Sequence, residues 1–485
     1  MTTLEWDRTL FINGEFCEPA GGGVIDVRDK ATGEIFASVG LATAQDVDRA
    51  VSSALAAQVE WAQRPYTERA SLLRAVAAEL GARAGELREL IMRETGSIGG
   101  KADYEIGAAQ SELIEAAALA ARPTGELLQT NHAGRLSLSE RIPVGVVGVL
   151  TPWNFPLVLG MRVIAPALAL GNAVVLKPSP ETPLSGGIAL AEAFAAAGIP
   201  AGLFQVLPGD VEVGERIVAH PDVAMIHFTG STKVGRTIAR TAGELLKKVS
   251  LELGGNNALV VLDDADLEQA SMIGAWSSFH YQGQTCITAG RHIVERAVAD
   301  GYVQALAKRA DAITLGNTVT EEVGLGPMIN ATQHERATRL LADAVAAGAR
   351  VVTQGRSEAP FFAPTVVVDV TPDMALWNEE IFAPIAPVLV VDSDEQAVTV
   401  ANDTEYGLVN SVLSASDDRG ISVARQLRGG MVHVNDATPQ DEALAPFGGT
   451  GASGLGGRSG GDSNLWEFTE LRWLTVAGGP AHYPY

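Results

Sequence analysis

The chain has 485 residues, of which 47% are hydrophobic, 6% are aromatic and 52 are glycine. This length exceeds the size at which one hydrophobic core keeps growing, so we expect at least two globular lobes and exclude a disordered protein. Its 58 acidic side chains outnumber the 35 basic ones and give a formal charge of −23, which disfavours nucleic acid and anionic membranes as partners.

The N-terminal residues 1–8 lack the basic flank and apolar core of a secretory signal. No apolar run approaches the roughly 20 residues that a membrane helix needs. Because Cys17 and Cys286 are the only cysteines, we do not expect a disulfide framework. These features predict a cytoplasmic protein.

The first 120 residues predict hairpins and surface helices at the edge of a sheet. Thr43 and Asp46 form a capping box before one amphipathic helix, and Thr67 is predicted to cap a second. The other predicted elements are hairpins over 10–16 and over 24–28 with 35–39, and a helix over 104–121.

From residue 140 short apolar runs alternate with helical patterns. Strands are predicted over 144–150, 173–176, 204–207 and 224–228, with a helix over 184–197. This alternation predicts a parallel sheet covered by helices, in which ligands bind at the carboxyl ends of the strands. The alternation resumes after Gly254-Gly255 with strands over 259–262 and 292–295 and helices over 267–278 and 302–313, which predicts a second α/β lobe. The glycine-rich stretch 447–454 predicts a loop that approaches its neighbours closely.

Polar motifs follow the predicted strands. Asn154, between two prolines in Thr151-Pro-Trp-Asn-Phe-Pro156, could donate to a developing oxyanion, or could be structural. Lys177 could reach a ribose hydroxyl, or could be a solvated strand-end lysine. Gly230 and Ser231 precede a helix and could face a phosphate, although an ordinary Ser/Thr cap is the alternative.

Three further residues are candidates for chemistry. Cys286 follows a glycine-rich polar turn, which favours a reactive thiol over a core cysteine, provided that a base or positive group stabilises the thiolate. Taken alone, a structural or incidental cysteine is the alternative. Glu252 lies between two leucines, where apolar surroundings would raise its pKa toward that of a general base. An exposed strand face is the alternative for Glu252, and Glu380 has the same ambiguity.

Seven motifs together carry a resemblance that spans nearly the whole chain. They are Pro152-Trp-Asn-Phe-Pro, Lys177-Pro-Ser, Phe228-Thr-Gly-Ser-Thr, Glu252-Leu-Gly-Gly, Gly283-Gln-Thr-Cys286, Glu379-Glu-Ile-Phe-Ala-Pro and Pro446-Phe-Gly-Gly. In these motifs and their order the chain resembles the aldehyde dehydrogenase superfamily. The variants at 280–284, 441–447 and 467–473, with the terminal Pro-Tyr, resemble its benzaldehyde dehydrogenase branch.

The resemblance implies an α/β fold with a Rossmann-type dinucleotide lobe, a second α/β catalytic lobe and a small bridging β-extension. The implied boundaries are 1–120 and 142–252, then 253–464, and finally 121–141 with 465–485 for the extension, which would serve a homodimer or homotetramer. The strand-like segment 471–476 would leave an edge that needs a partner. No metal ion is implied.

The resemblance also implies roles for individual residues. Cys286 would attack the aldehyde carbonyl, Asn154 and the Cys286 backbone N–H would hold the oxyanion, and Glu252 would activate water to hydrolyse the thioester. The implied cofactor-binding residues are Thr151, Trp153, Lys177, Gly209, Gly230, Ser231, Leu253, Glu380 and Phe382. Those implied near the substrate are Phe155, Leu159, Arg162, Tyr281, Ile287 and Phe447.

Three departures from the superfamily pattern bear on these roles. Pro180 replaces a glutamate typical of NAD-preferring members, so NADP stays open, although benzaldehyde-type members with this proline generally use NAD. Val163 replaces a proposed relay lysine, and Arg162 beside it is interpreted as a packing or pocket-shaping group. Asn256-Asn257 replaces a common proline-containing ending and is interpreted as harmless.

We therefore hypothesise the oxidation of an aromatic, benzaldehyde-like aldehyde to its acid, with NAD favoured. One alternative is an aliphatic or semialdehyde dehydrogenase, possibly using NADP. A CoA-acylating enzyme is disfavoured because Glu252 is present to serve hydrolysis. A catalytically silent structural or ligand-binding member of the fold is the alternative from another class.

Overall fold

The computed structural model describes residues 8–479, 483 and 485. The N-terminal stretch interpreted as lacking a signal therefore lies almost entirely outside the described residues. The same holds for residues 480–482 and 484 of the predicted bridging extension.

Short strands alternate with helices along most of the chain. The strands are β1 (Leu10–Ile12), β2 (Glu15–Cys17), β3 (Gly23–Arg28), β4 (Ile35–Leu41), β5 (Gly125–Leu127), β6 (Leu136–Pro143), β7 (Val146–Leu150), β8 (Ala173–Lys177), β9 (Phe204–Val206), β10 (Met225–Thr229), β11 (Lys248–Glu252), β12 (Asn257–Val261), β13 (Ala289–Glu295), β14 (Arg350–Val351), β15 (Thr365–Val368), β16 (Ile385–Val391), β17 (Val409–Leu413), β18 (Met431–Val434), β19 (Gly454–Leu455) and β20 (Thr469–Val476).

The helices cover the faces of the sheets. They are α1 (Ala44–Trp61), α2 (Tyr66–Ala82), α3 (Ala84–Thr95), α4 (Gly99–Leu119), α5 (Pro156–Ala169), α6 (Ala189–Ala196), α7 (Val211–Ala219), α8 (Thr232–Glu244), α9 (Leu267–Phe279), α10 (Arg296–Asp311), α11 (Ala331–Ala346), α12 (Ala375–Asn378), α13 (Asp394–Asn402), α14 (Asp417–Ala424) and α15 (Ser463–Glu467), with a π-helical turn over Leu184–Ile188 before α6.

The first sheet has eight strands in the order β19-β11-β10-β7-β8-β9-β1-β2. The five strands from β11 to β9 run parallel, as the alternating pattern predicted, whereas β19 and the β1–β2 hairpin pair antiparallel at the two edges. Because parallel strands all point the same way, their carboxyl ends collect polar residues along one edge.

The second sheet has seven strands in the order β14-β15-β16-β13-β12-β17-β18, and all its pairs except β14–β15 are parallel. Successive β12 side chains belong to different cores: Ala258 and Val260 pack in one apolar cluster, and Leu259 and Val261 in another. Side chains alternate across a strand, so helices cover both faces of this sheet. The second predicted α/β lobe is therefore present.

Two small antiparallel sheets complete the fold. β3 and β4 form the predicted second hairpin. β20 pairs along its full length with β6, which also pairs with β5. β20 lies at the edge of this three-stranded sheet, and its Trp473 side chain is 72% exposed.

Several helix boundaries test the sequence predictions. The capping box is confirmed, because Thr43 Oγ1 accepts from the Asp46 N–H and Asp46 accepts from the Thr43 N–H. The prediction that Thr67 caps the second helix is wrong: α2 begins at Tyr66, directly after Pro65, so Thr67 lies inside the first turn. The helix predicted from residue 104 begins earlier, at Gly99.

Among the described residues, no helix is both long and apolar enough to cross a membrane.

Candidate active site

Four strand ends of the first sheet meet at one edge, as the motif positions predicted. In the parallel register, Leu150 pairs with Lys177 and with Phe228, and Thr229 pairs with Glu252. The loops after β7, β8, β10 and β11 therefore leave the sheet side by side.

A cavity of about 410 Å³ opens at this edge, between the two large sheets. It brings together the three predicted catalytic residues, Asn154, Glu252 and Cys286. Its other lining residues are Pro152, Trp153, Thr229, Gly230, Ser231, Thr232, Lys233, Leu253, Gly254, Gln333, Arg336, Glu379, Glu380, Phe382 and Tyr406. Thr151, Lys177 and Gly209, which were predicted to bind the cofactor, do not line it.

The Asn154 side chain is buried and held close to the cysteine loop. Its Nδ2 donates to the backbone oxygen of Gln284 at 3.1 Å, and Gln284 lies two residues before Cys286. The Asn154 backbone oxygen accepts a hydrogen bond from Lys101 Nζ at 2.8 Å. An amide nitrogen carries two hydrogens, so one N–H of Asn154 remains for a ligand in the cavity.

The turn before Cys286 has an unusual backbone. Tyr281, Gln282 and Gly283 all have positive φ, at 49°, 54° and 65°. Only the glycine adopts this region without cost, so tertiary contacts must hold the other two residues there. Gln282 supplies such contacts, because its Nε2 donates to the backbone oxygens of Gly96 at 3.1 Å and Pro327 at 2.7 Å.

Asn257 also holds the cysteine loop. Its Nδ2 donates to the backbone oxygens of Cys286 at 2.8 Å and Thr288 at 2.7 Å. The interpretation of Asn256-Asn257 as merely harmless is therefore incomplete, because this amide ties β12 to the loop that carries the thiol.

Glu252 ends β11 in a buried position, so the alternative of an exposed strand face is wrong. Its Oε2 is buried and has no hydrogen-bond partner among the described residues. Burial raises the pKa of the Glu252 carboxyl to about 8, although Arg162 and Arg458 act in the opposite direction. The glycine-rich loop approaches this carboxylate as predicted: a Cβ on Gly448 would lie 2.7 Å from Glu252 Oε1.

The Cys286 thiol lies near the carboxyl groups of Glu380 and Glu252. Burial, with Glu380 and Glu252 adding to its effect, raises the thiol pKa to about 12, and only Arg162 acts in the opposite direction. The protein alone therefore keeps this thiol protonated. Its conversion to thiolate requires a proton acceptor or an added positive charge within the cavity.

The pKa of Glu252 gives a testable pH dependence. A general base acts in its deprotonated form, so a turnover rate limited by hydrolysis should rise about tenfold per pH unit below pH 8 and level off above it. Measuring kcat with saturating substrates from about pH 6 to about pH 9.5 tests this expectation. A kcat that falls with rising pH in this range would contradict it.

Glu380 faces the cavity from the second lobe. Its Oε1 accepts from the Gly255 N–H at 3.2 Å, and burial raises its pKa to about 7. Arg336 on α11 braces the segment by donating to the backbone oxygens of Glu380 at 2.8 Å and Ile381 at 2.9 Å. Sequence reasoning missed Arg336, since nothing in the pattern of α11 distinguishes it from a surface arginine.

Phe382 and Trp153 form an aromatic corner of the cavity. Their rings meet edge to face with centroids 5.4 Å apart, and Phe382 has a φ of 54°. A bulky residue rarely adopts positive φ, so the backbone here is constrained to direct the ring toward Trp153.

The remaining predicted cofactor residues lie around this opening. Ser231 caps α8, whose first turn lines the cavity. The Gly230 N–H, which was predicted to face a phosphate, is not available because it donates to the Glu252 backbone oxygen at 3.0 Å. The Thr151 N–H donates to the Lys177 backbone oxygen at 3.2 Å, which fixes these two residues together. Burial lowers the pKa of Lys177 to about 8.

At two glycines near the cavity, a side chain would collide with a neighbouring residue. A Cβ on Gly209, which precedes α7, would lie 2.5 Å from Val213 Cγ2. A Cβ on Gly254 would lie 2.2 Å from Glu380 Oε2, so the backbone and this carboxylate form a tight cradle. Leu253 is fixed by its N–H, which donates to the Ser453 backbone oxygen at 2.9 Å. The first turn of α8, the Glu380 cradle and the aromatic corner fit a nicotinamide dinucleotide.

The predicted substrate residues form two groups. In the first, Arg162 is buried, its guanidinium lies 4.4 Å from the Phe447 ring centroid, and it pairs with Glu112 at 3.3 Å and with Asp441. Arg162 is therefore an ion-paired residue as well as the packing group that the sequence suggested. The two carboxylates were not among the predicted site residues.

In the second group, the rings of Phe155 and Tyr281 meet edge to face with centroids 5.5 Å apart. Tyr281 and Leu159 are buried, whereas Ile287, directly after Cys286, is partly exposed. None of the six predicted substrate residues lines the 410 Å³ cavity.

Comparisons with known proteins agree with this fold. Residues 16–474 match the aldehyde dehydrogenase family, and the chain belongs to that family. It is therefore an oxidoreductase that acts on a small aldehyde and uses a nicotinamide dinucleotide. The resemblance and the fold class inferred from the motifs are confirmed.

Several of its relatives are named for aromatic aldehydes, as expected for the branch that the sequence indicated. The chain is 47% identical over 466 residues to benzaldehyde dehydrogenase [NAD(+)] of Pseudomonas putida, and 46% identical over 469 residues to vanillin dehydrogenase of an Amycolatopsis species, covering 96% of both chains each time. A crystal structure of salicylaldehyde dehydrogenase from Pseudomonas putida G7, complexed with salicylaldehyde, has a TM-score of 0.96 and 33% identity, covering 99% of this chain and 100% of that one.

Proposed function

We propose that this protein oxidises an aromatic, benzaldehyde-like aldehyde to the carboxylic acid with NAD. The observation that carries the proposal is the shared cavity of Cys286, Asn154 and Glu252. A nucleophile, an oxyanion donor and a buried carboxylate are the groups that thioester-forming oxidation and hydrolysis need.

The first step joins the protein to the substrate. The Cys286 thiol gives up its proton to water in the cavity, the sulfur attacks the aldehyde carbon, and the carbonyl electrons move to the oxygen. The free N–H of Asn154 and the Cys286 backbone N–H stabilise that oxyanion, because fixed donors need no reorganisation as the charge develops. The product of this step is a thiohemiacetal on Cys286.

Several residues would hold the dinucleotide. Lys177 and Glu380 would bind ribose hydroxyls, Ser231 at the N-cap of α8 would lie at the pyrophosphate, and Phe382 with Trp153 would bound the nicotinamide end. When bound, NAD supplies a positively charged ring and accepts the hydride that leaves the substrate carbon. Oxidation leaves a thioester on Cys286.

Glu252 completes the reaction by hydrolysis. Its unpartnered carboxylate takes a proton from water, the resulting hydroxide adds to the thioester carbonyl, and the C–S bond breaks. The products are the carboxylic acid and the regenerated Cys286 sulfur. This role for Glu252 disfavours a CoA-acylating reaction and a catalytically silent protein.

The candidate substrate residues favour a neutral aromatic aldehyde. Phe155 and Phe447 would supply aromatic surface to the substrate, and Leu159 would supply aliphatic surface. The buried cations Arg162 and Lys101 lie beside these residues, and carboxylates already pair with both: Glu112 and Asp441 with Arg162, and Glu105 with Lys101. A semialdehyde carboxylate would have to displace one of them, which is unfavourable for a buried ion pair.

Two observations favour NAD over NADP. One relative is named as a benzaldehyde dehydrogenase that uses NAD(+). Beside Pro180, Glu181 accepts from Lys30 Nζ at 2.5 Å and from Asn330 Nδ2 at 2.8 Å, so the charge of Lys30 is already balanced. Lys177, a further cation of this region, interacts with the Asp210 carboxylate, so a 2′-phosphate would meet the negative charges of both Glu181 and Asp210.

We further propose that the sequence-based boundaries describe functional units. Residues 1–120 with 142–252 would bind the dinucleotide, 253–464 would carry the thiol, and 121–141 with 465–485 would join subunits of a homodimer or homotetramer. The exposed edge strand β20 supports the last role. A cytoplasmic location accords with two free cysteines, Cys17 and Cys286.

Initial rates of NADH or NADPH formation test the proposal. Benzaldehyde, hexanal and succinic semialdehyde are each supplied with NAD and with NADP. We expect kcat/KM for benzaldehyde with NAD to exceed the values for the other combinations by about tenfold or more. Hexanal lacks the aromatic ring, succinic semialdehyde adds a carboxylate, and NADP adds a 2′-phosphate. A preference for hexanal or succinic semialdehyde would contradict the aromatic assignment, and a preference for NADP would contradict the cofactor assignment.

A further inference from the structure

A fully buried ion pair lies behind the cavity, outside the set of predicted site residues. Lys101 and Glu105 are one turn apart on α4, with Lys101 Nζ 2.6 Å from Glu105 Oε2 and neither side chain exposed. Desolvation makes such a pair no more stabilising than a well-packed apolar pair, although removing only one partner is costly. Its geometry therefore needs an explanation other than stability.

Lys101 contacts both loops that carry the reacting groups. Its Nζ donates to the backbone oxygen of Asn154 at 2.8 Å. The same ammonium lies 4.3 Å from the Phe155 ring centroid and 4.5 Å from that of Tyr281. Phe155 follows the oxyanion donor in sequence, and Tyr281 begins the strained turn that leads to Cys286.

Glu105 holds the same segment from its other end. Its Oε1 accepts from the N–H groups of Leu157 at 2.7 Å and Val158 at 3.3 Å, in the first turn of α5. The residue at the N-cap of α5, Phe155, makes no capping hydrogen bond of its own. A carboxylate from α4 thus satisfies the N–H groups that a cap would normally satisfy.

We propose that Lys101 and Glu105 are positioning residues that fix the Asn154 amide relative to the Cys286 thiol. This inference rests on the proposed oxyanion role of Asn154. Lys101 fixes the backbone oxygen of Asn154, Glu105 fixes the helix that follows it, and Gln284 fixes its side-chain amide. An oxyanion donor must be placed within a fraction of an ångström, so a loss of this bracing lowers the rate before it alters the binding of either substrate.

Three variants test the ion pair: Lys101→Met, Glu105→Gln and the double variant that carries both substitutions and so lacks both charges. Each should lower kcat about 10- to 100-fold, while the KM for benzaldehyde and the Kd for NAD stay near their original values. Glu105→Gln keeps the shape of the side chain and provides the test if Lys101→Met does not fold. An unchanged kcat in folded Glu105→Gln protein would overturn the proposal.

A double-mutant cycle with Asn154→Ala separates positioning from general stability. If Lys101 acts through Asn154, adding Lys101→Met or Glu105→Gln to Asn154→Ala should lower kcat no further. A combined loss equal to the product of the single losses would overturn the proposal. If Asn154→Ala alone left kcat unchanged, the oxyanion role in the proposed function would fail, and this inference with it. A loss in Asn154→Ala with none in the α4 variants would overturn this inference alone.

Glu94 provides a matched control. It is also a buried glutamate that accepts backbone N–H groups at the start of another helical turn, from Leu184 at 2.9 Å and Ser185 at 2.7 Å. Glu94→Gln should lower the melting temperature as Glu105→Gln does, without lowering kcat of the folded enzyme. A similar kcat loss in both variants would indicate a common structural effect and overturn the positioning role.

Discussion

Replacing Cys286 with alanine should abolish aldehyde oxidation, with the rate falling by a factor of about 10⁴ or more. No other thiol can substitute, because Cys17, the other cysteine, lies on β2 at the opposite edge of the first sheet from β11 and its Glu252. The measurement is the rate of NADH formation with benzaldehyde, together with the Kd for NAD, which should persist in the folded variant.

Cys17→Ala is the control for this prediction. Cys17 is only partly buried and does not line the cavity, so its replacement should leave kcat unchanged. Substantial activity in Cys286→Ala would contradict the covalent mechanism. Loss of activity in Cys17→Ala would indicate that thiol substitution disturbs the fold.

Replacing Glu252 with glutamine should separate oxidation from hydrolysis. The amide keeps the shape of the side chain but cannot take a proton from water, so steady-state turnover should fall about 10²- to 10⁴-fold. Hydride transfer should persist. Rapid mixing with benzaldehyde and NAD should therefore show a burst of about one NADH per active site followed by very slow turnover.

Glu295→Gln is a suitable control for this variant. Glu295 is another buried carboxylate at the carboxyl end of a strand, but it accepts from the Asp263 N–H at 2.6 Å and pairs with Arg419 at 3.1 Å, outside the cavity. Its replacement should leave both burst and turnover intact. Unchanged turnover in Glu252→Gln would show that another group activates the water.

The sequence was most informative about the parallel strands of the first sheet, because their carboxyl ends must lie at the same edge. Glu252, Lys177 and Thr151 each follow an apolar run, and parallel pairing then brings their backbones into register. The pattern thus predicted that Asn154 follows a strand end, whereas the meeting of Asn154, Glu252 and Cys286 was implied by the resemblance to the aldehyde dehydrogenase superfamily. The leucine neighbours of Glu252 left both burial and an exposed strand face open, and the structure shows that Glu252 is buried.

The partners of these residues could not be predicted in the same way. Arg162 and Asp441 are separated by 279 residues, and Lys101 and Asn154 by 53, so no local pattern joins them. Such pairs depend on how α4, α5 and the loop before Phe447 pack, which one chain's periodicity does not specify.

The backbone conformation at three residues also could not be predicted from the sequence. Tyr281, Gln282 and Phe382 are residue types that disfavour positive φ, yet all three adopt it beside the cavity. Tertiary contacts such as those of Gln282 with Gly96 and Pro327 override local preference here. Conversely, threonine is a good capping residue, but Thr67 does not cap α2. The helix begins one residue earlier, at Tyr66, directly after Pro65, which has no N–H to donate.

In the proposed mechanism, Cys286 carries the acyl group derived from an aromatic aldehyde. Intact-protein mass spectrometry of Glu252→Gln, mixed with benzaldehyde and NAD and quenched in acid, can detect this acyl group. We expect a mass increase of one benzoyl group, located on the peptide that contains Cys286 and absent when NAD is omitted. A burst of NADH with no adduct, or an adduct on another residue, would contradict it.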